Sequence, residues 1–277
     1  MKRDITQRIA RIASMEDHEV ELAASALLIA RLQYPSLDAP HYLAGLDEMA
    51  ERLRRRMQVP DEPEHVVNEI NTVVFEEEGF RGNTENYYDP RNSFLNEVLD
   101  RKLGIPITLS IVYLEVGRRA GLKTYGIGLP GHFIVGLLTD SARVFIDPFN
   151  RGQVLTEDAC RRIVISHAGT SAGFNRSFLD PVRPKQIVVR LMRNLKGVYL
   201  SMKNQTRALA LINWILILAP DAIQELLERA AYYESVGDYG SAATDLEKCA
   251  SLTRDEEERN RLRAKVAMFR KHKTSVH

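Results

Sequence analysis

From residue 1 to about residue 80, apolar positions recur at helical spacing. Ile5, Ile9 and Ile12 are followed by ELAASALLIARL and then YLAGLDEMAERL, so an all-helical start is expected. Asp38 is placed to cap a helix that carries Pro40 in its first turn. Another helix is expected through EHVVNEINTVVFEE, after which GFRGNTENYYDPRNS gathers the Gly, Asn, Asp and Pro of loops. A polar loop of that length inside a compact chain is often functional. SFLNEVLDRKLG reads as a short helix stopped by Gly104, and IPITLSIVYLEVGRRAG as a second with Pro106 in its first turn and Gly121 at its end. Leu109, Val112, Tyr113 and Val116 form an apolar stripe on it, and Arg118 and Arg119 suit the negative end of its dipole. The period then changes: KTYGIGL, HFIVGLL and ARVFIDPF alternate as strands do, with TDSA as a hairpin turn between the last two. Helices followed by an antiparallel sheet give an α+β class.

FLDPVRPKQ, with Pro181 and Pro184, marks a boundary that divides the chain into residues 1–185 and 186–277. Beyond it the sequence repeats. Tyr199 and Tyr233, Ala208 and Ala242, Ile212 and Leu246, Ile215 and Cys249, and Leu218 and Leu252 are matched pairs at one constant interval. That interval is the 34-residue tetratricopeptide period, and Pro220 closes the first unit. Lys196 stands where the repeat prefers a small residue, and TRDEEERNRLRAKVAMFRK reads as a charged, solubilising last helix. An all-α tetratricopeptide-type array is therefore expected over 186–277.

Charge changes the picture little. With 38 basic and 37 acidic residues the formal charge is +1, and the absence of long single-sign runs speaks against a nucleic-acid or membrane binder. Arg54, Arg55 and Arg56 follow Glu48 and Glu51 and read as a solvated helix face. ALINWILILA falls short of the about 18 apolar residues of a membrane helix, and MKRDITQRIA lacks the apolar core of a signal peptide. Cys160 and Cys249 are far apart, without metal-ligand spacing. A cytoplasmic, reduced protein without metal is the expectation. GIGLPG fits the dinucleotide pattern formally, but Pro130 leads into a strand-like run rather than a helix, so no cofactor is expected.

Chemistry concentrates in GLPGHFIVGLLTDSARVFIDPFN, which carries His132 on one alternating run and Asp147 on the next. A carboxylate at the end of an apolar strand is costly unless paired, and a histidine on the neighbouring strand is a suitable partner. Such an Asp holds the imidazole in one tautomer, which is the supporting role in a nucleophilic triad. A structural pin across the sheet has the same signature. Cys160, in EDACRRIV, sits on an amphipathic helical pattern, and the repeat equivalence of Cys249 with Ile215 makes it a core filler.

GFRGNTENYYDPRNSFLNEVLDRKLGIPITLSIVYLEVGRRAGL, together with PGHF and IDPFNRG, resembles the transglutaminase-like domain of SirB-type proteins, which carry tetratricopeptide repeats after it. The resemblance covers about residues 5 to 180 and then the repeats. It implies a transglutaminase-like (papain-like) core in which a Cys at a helix start is followed by a His on one strand and an Asp on the next. His132 and Asp147 match the last two, and the first falls within Ile105 to Thr108, where no Cys stands. A helix N-terminus favours a thiolate, whereas Ile or Pro there has no nucleophilic atom.

The leading expectation is a bacterial regulatory or protein-interaction module without catalysis, a pseudoenzyme whose partner is a protein or peptide. The alternative is a hydrolase or acyltransferase of amidase or peptidase type, with Ser110 or Thr108 as nucleophile, His132 as base and Asp147 as orienter. Against it, Thr108 suits helix capping and Ser110 a close approach. Asn83, Asn86, Asn92 and Asn96, with Tyr87, Tyr88 and Asp89, either hold turns or line a cleft beside His132. On the second view the binding residues are Asn83, Asn86, Tyr88, Asn92, Asn96 and Gly131.

Overall fold

The computed structural model describes residues 2–57, 62–140, 142–169 and 173–274. They form two compact units, one built on Ser14–Asn194 and the other on residues 195 onward with Thr6–Ala13. The first helix, α1 (Lys2–Ser14), contributes to both, and the change of unit falls within α8 (Pro184–Ser201); the expected boundary at 185/186 lies in the first turn of that helix.

In the first unit, α2 (Leu22–Ala30) is apolar on all sides and buried along nearly its whole length, as such a helix must be. The next helix, α3 (Ala39–Arg56), buries Leu46, Met49, Ala50 and Leu53 on one face and turns Arg54, Arg55 and Arg56 outward to Glu51 and Glu69. After it α4 (Pro63–Asn71) runs on into a π-helical turn, Thr72–Glu77. A two-strand parallel pair, β1 (Arg81–Gly82) and β2 (Leu103–Gly104), then brackets the polar loop and α5 (Leu95–Arg101).

The central element is α6 (Pro106–Arg119). Its sequence predicts one apolar stripe, yet every residue from Pro106 to Gly117 is buried, including Thr108, Ser110 and Glu115. The polar ones are accommodated by partners: Glu115 pairs with Arg118 and Arg119 at the dipole's negative end.

The five-stranded sheet comprises β3 (Lys123–Ile127), β4 (Ile134–Leu138), β5 (Arg143–Asp147), β6 (Gln153–Leu155) and β7 (Pro181–Val182), in the order β6-β5-β4-β3-β7 with antiparallel pairing throughout. Ser141 of the expected hairpin turn lies outside the described residues. Against the sheet, α7 (Glu157–Ala168) buries Cys160 and Val164 among Ile127, Leu129, Ile134, Leu155 and Leu179. Val135 pairs with Ile146, so continuing the register sets Ile134 opposite Asp147 and leaves His132 just beyond the strand end.

The second unit holds the end of α8, α9 (Gln205–Leu218), α10 (Ile223–Ser235), α11 (Tyr239–Leu252) and α12 (Glu256–Thr274). The repeat is visible in the turns as well as the core. Lys203 and Gly237 both take left-handed backbone, φ 57° and 78°. The residues after them, Asn204 and Asp238, both cap the next helix, on Arg207 N and Ser241 N. Ala208, Ala242, Ile215 and Cys249 are buried at equivalent helix crossings.

Lys196 occupies the position equivalent to the small Ala230, and it is itself buried. Its Nζ reaches Glu225 at 2.8 Å and Glu228 at 2.6 Å. Removing one member of a buried ion cluster strands the others, while replacing the pair by apolar residues does not. Lys196→Ala should therefore lower unfolding stability by about 3–5 kcal/mol in urea titration, and Lys196→Met with Glu225→Leu by much less. Equal losses in the two proteins would contradict this.

Candidate functional site

His132 is placed by the turn that precedes β4 rather than by the strand itself, its N–H donating to Leu129 O at 3.1 Å. The alternating pattern had counted it as a strand residue. Gly131 makes the turn feasible: its φ is +75°, and a Cβ there would lie 2.2 Å from the Cβ of His167. An L side chain is excluded both by that backbone conformation and by the approach of α7. Gly131, expected as a binding residue, is thus required here for clearance.

The His132 ring nitrogen Nε2 stands 2.8 Å from Asp147 Oδ2, with the imidazole 6% exposed as a residue and the aspartate fully buried. Asp147 is held from its other side as well. Oδ1 accepts from Phe149 N at 3.0 Å and Asn150 N at 3.4 Å, and Oδ2 accepts from Asn150 Nδ2 at 2.8 Å. Burial pushes the Asp147 carboxyl up, but the bond to and charge of His132, the Asn150 amide and the Phe149 N–H together bring it below its ordinary value. His132 Nδ1 has no hydrogen-bond partner among the described residues. That leaves one ring nitrogen oriented by a carboxylate and the other open, the arrangement of a general base awaiting a nucleophile.

Among the described residues, neither hydroxyl of the first turns of α6 hydrogen-bonds to His132. Ile105 is the N-cap and Pro106 the first residue of α6. Thr108 Oγ1 accepts from Ile105 N at 3.0 Å and donates to Asn92 O at 2.8 Å, which closes the helix start and ties it to the polar loop. Ser110 Oγ donates to Phe133 O at 3.3 Å, one residue along from the imidazole. Both hydroxyls are 0% exposed, and both are committed to backbone carbonyls. Cys160 sits in the first turn of α7, yet burial and the nearby Asp147 push its thiol up to about 11. A helix N-terminus would normally act the other way, so desolvation decides here.

Among the described residues the asparagines of the polar loop bond to one another and to the loop backbone. Asn83 Nδ2 donates to Asn92 Oδ1 at 2.9 Å, Asn86 N donates to Asn83 Oδ1 at 3.0 Å, and Asn92 Nδ2 donates to the carbonyls of Asn86 and Tyr87. They hold the loop in shape. Asn96 is buried on α5 near Tyr42, with its Oδ1 lacking a partner among the described residues. Tyr88 is 77% exposed and stacks edge-on with Tyr87.

The local pattern missed the residues that do surround the imidazole. Phe149 packs edge-on to both His132 and Tyr87, and His167 stacks on His132 with centroids 5.9 Å apart. Arg190, from α8, donates to the carbonyl of His132. IDPFNRG offered a signal for the first of these: Asp147 caps the turn that presents Phe149, and Gly152, at φ +74°, lies where a Cβ would be 1.9 Å from Asn71 Oδ1. Among the described residues no three His, Cys, Asp or Glu side chains gather to hold a metal.

A helix start packed on an antiparallel sheet, with His and Asp at adjoining strand ends, defines a transglutaminase-like domain. The profile of the transglutaminase-like superfamily matches residues 40–193 and that of a tetratricopeptide repeat residues 195–267; the chain belongs to the transglutaminase-like superfamily, in the SirB-type group with C-terminal tetratricopeptide repeats. It is 36% identical over 244 residues to a UPF0162 protein of Xylella fastidiosa, spanning 87% of each chain. A UPF0162 protein of Vibrio cholerae shares 29% over 174 residues, 62% of this chain and 64% of that one. The mouse F-box only protein 21 is 29% identical over 232 residues, which are 79% of this chain but 34% of that longer protein.

Because the folded Asp147 carboxyl lies below its ordinary value, its contribution is present above the unfolded pKa of about 3.9 and is lost as pH falls through the lower folded value. Asp147→Asn should therefore be less stable than the parent at pH 7, with the gap closing as the pH drops below about 4. Denaturant titrations across that range measure it; a gap independent of pH would contradict the assignment.

Proposed function

We propose that the chain is a non-catalytic transglutaminase-like protein that acts as an interaction or regulatory module for a protein or peptide partner. The observation that carries this reading is the state of the helix start: beside an imidazole oriented by Asp147, with its Nδ1 open among the described residues, the Thr108 and Ser110 hydroxyls of α6 are buried and bonded to the carbonyls of Asn92 and Phe133. Acyl transfer needs a nucleophile whose proton is directed at the base, and these protons are directed at backbone.

The tetratricopeptide array supports the same conclusion, since stacked helix pairs form concave surfaces suited to an extended segment. Within the second unit a cleft of about 300 Å³ lies between α8, α9 and α10, lined by Leu200, Ala208, Leu209, Ile212 and Tyr232. Leu200 is 43% exposed at its rim. A protein that keeps the frame of an active site and adds a recognition surface is suited to holding a polypeptide without altering it. Among the described residues no helix is long and apolar enough to cross a membrane.

A hydrolase or acyltransferase using Ser110 or Thr108 requires either hydroxyl to leave its carbonyl and face His132. Fluorophosphonate and thiol-directed probes applied to the intact protein test this, with mass spectrometry to locate any adduct. We expect no adduct at Ser110, Thr108 or Cys160, in the parent or in a folded His132→Gln variant. Labelling of one of them that disappears in His132→Gln would establish the enzyme.

A further inference from the structure

Arg190 lies on the part of α8 that belongs to the first unit, and its guanidinium is fixed on the backbone of the turn that carries His132. Nη2 donates to Leu129 O at 2.8 Å and to His132 O at 2.5 Å, and the group lies over the Phe133 ring at 5.3 Å from its centroid. On another side Gly128 is so near that a Cβ would be 3.1 Å from Nη1. These contacts position the guanidinium but do not neutralise it, because carbonyl oxygens and a ring face carry no net charge. Nε and Nη1 make no hydrogen bond among the described residues, and no carboxylate there pairs with the group.

The contrast with other cations of this chain is informative. Arg229 is bidentate to Asp245, Arg119 meets Glu115 and Asp47, and Lys196 has two glutamates. A guanidinium withdrawn from water ordinarily regains the lost hydration by pairing with an anion. Burial holds Arg190 below the ordinary arginine pKa, with only the Tyr87 hydroxyl acting in the opposite sense. Tyr87 in turn feels that positive charge, which offsets part of the upward push from its own burial and from Tyr88.

Arg190 also borders a continuous row of rings. Tyr88 meets Tyr87, Tyr87 meets Phe149, and Phe149 meets His132, each edge to face. The outer members are open to solvent, with Tyr87 37% and Tyr88 77% exposed. The inner end of the row is thus His132, whose Nδ1 has no partner among the described residues and whose own carbonyl holds a guanidinium that no carboxylate there neutralises.

We propose that Arg190 and the open edge of His132 form a carboxylate-binding subsite, and that the polypeptide engaged by this domain presents an Asp or Glu side chain or its own C-terminus there. The proposal rests on the binding reading above and adds to it the charge of the ligand and the residue that selects it. A carboxylate at Nη1 or Nε completes the hydrogen bonding of the guanidinium and adds a charge-assisted bond.

N-acetylglycine is the probe, with N-acetylglycinamide as its neutral counterpart and inorganic phosphate as the competing anion, each titrated into the intact protein. The readouts are the 15N resonances of the Arg190 Nε and of the His132 ring. Saturable shifts with N-acetylglycine in the range of about 1–10 mM, absent with the amide, are expected. Arg190→Gln should weaken that binding roughly tenfold or more, and Arg190→Lys should lose less because the charge is kept. The proposal is overturned by equal responses to acid and amide, by no saturation, by undiminished binding in a folded Arg190→Gln protein, or by phosphate binding where N-acetylglycine does not. Its failure is separate from failure of the non-catalytic reading: that one falls to a covalent adduct on a hydroxyl or thiol, this one to the loss of charge selectivity.

Discussion

The contact between His132 Nε2 and Asp147 is the constraint around which the first unit is arranged. A carboxylate with no exposure at the end of an apolar strand must be surrounded by donors, since an unpaired charge there would cost several kcal/mol. Three features supply them. The register of β4 on β5 and the turn before β4 bring His132 just past the end of the neighbouring strand, the turn after Asp147 folds its own N–H groups back onto the carboxylate, and Asn150 closes the ring with its amide. Gly131 and Gly152 are needed because both turns are so tight that a side chain would strike α7 or Asn71.

Around that frame, on the non-catalytic reading proposed above, the chemistry and the architecture have separated. The buried helix α6 still meets the sheet at the His132 end, and its start is still fastened to the polar loop, but the fastening is done by Thr108 through Asn92. Where the resemblance implies a thiolate, this chain uses the same region to close the helix and pack the core. A fold tolerates that exchange because His132 and Asp147 stabilise each other whether or not anything attacks. The UPF0162 protein of Xylella fastidiosa matches over 87% of its own length, whereas in F-box only protein 21 the matching region is about a third of a longer protein.

Legibility in the sequence followed the range of the interactions. Alternation in HFIVGLL and ARVFIDPF was enough to pair His132 with Asp147, because antiparallel register is short-range once the turn is known. The constant interval between Tyr199 and Tyr233, or Ala208 and Ala242, revealed the array for the same reason: each repeat is a local unit. What escaped was tertiary. Ser110 shows nothing of its bond to Phe133, and Arg190, 58 residues from His132, has no local signature at all. Lys196 was visible as an anomaly among small residues, but its glutamates lie a helix away. The asparagines of the polar loop read either as turn formers or as cleft residues, and the amides of Asn83 and Asn92 bond to each other and to the loop backbone.

The most direct test of this account is the coupling between His132 and Asp147, measured by unfolding free energies of His132→Gln, Asp147→Asn and the double variant at pH 7. A bond between an imidazole and a buried carboxylate should give a coupling of about 1.5–3 kcal/mol, so that the double variant loses much less than the two single losses combined. Additive losses would mean that the two side chains do not hold each other, and the frame described here would have to rest on something else.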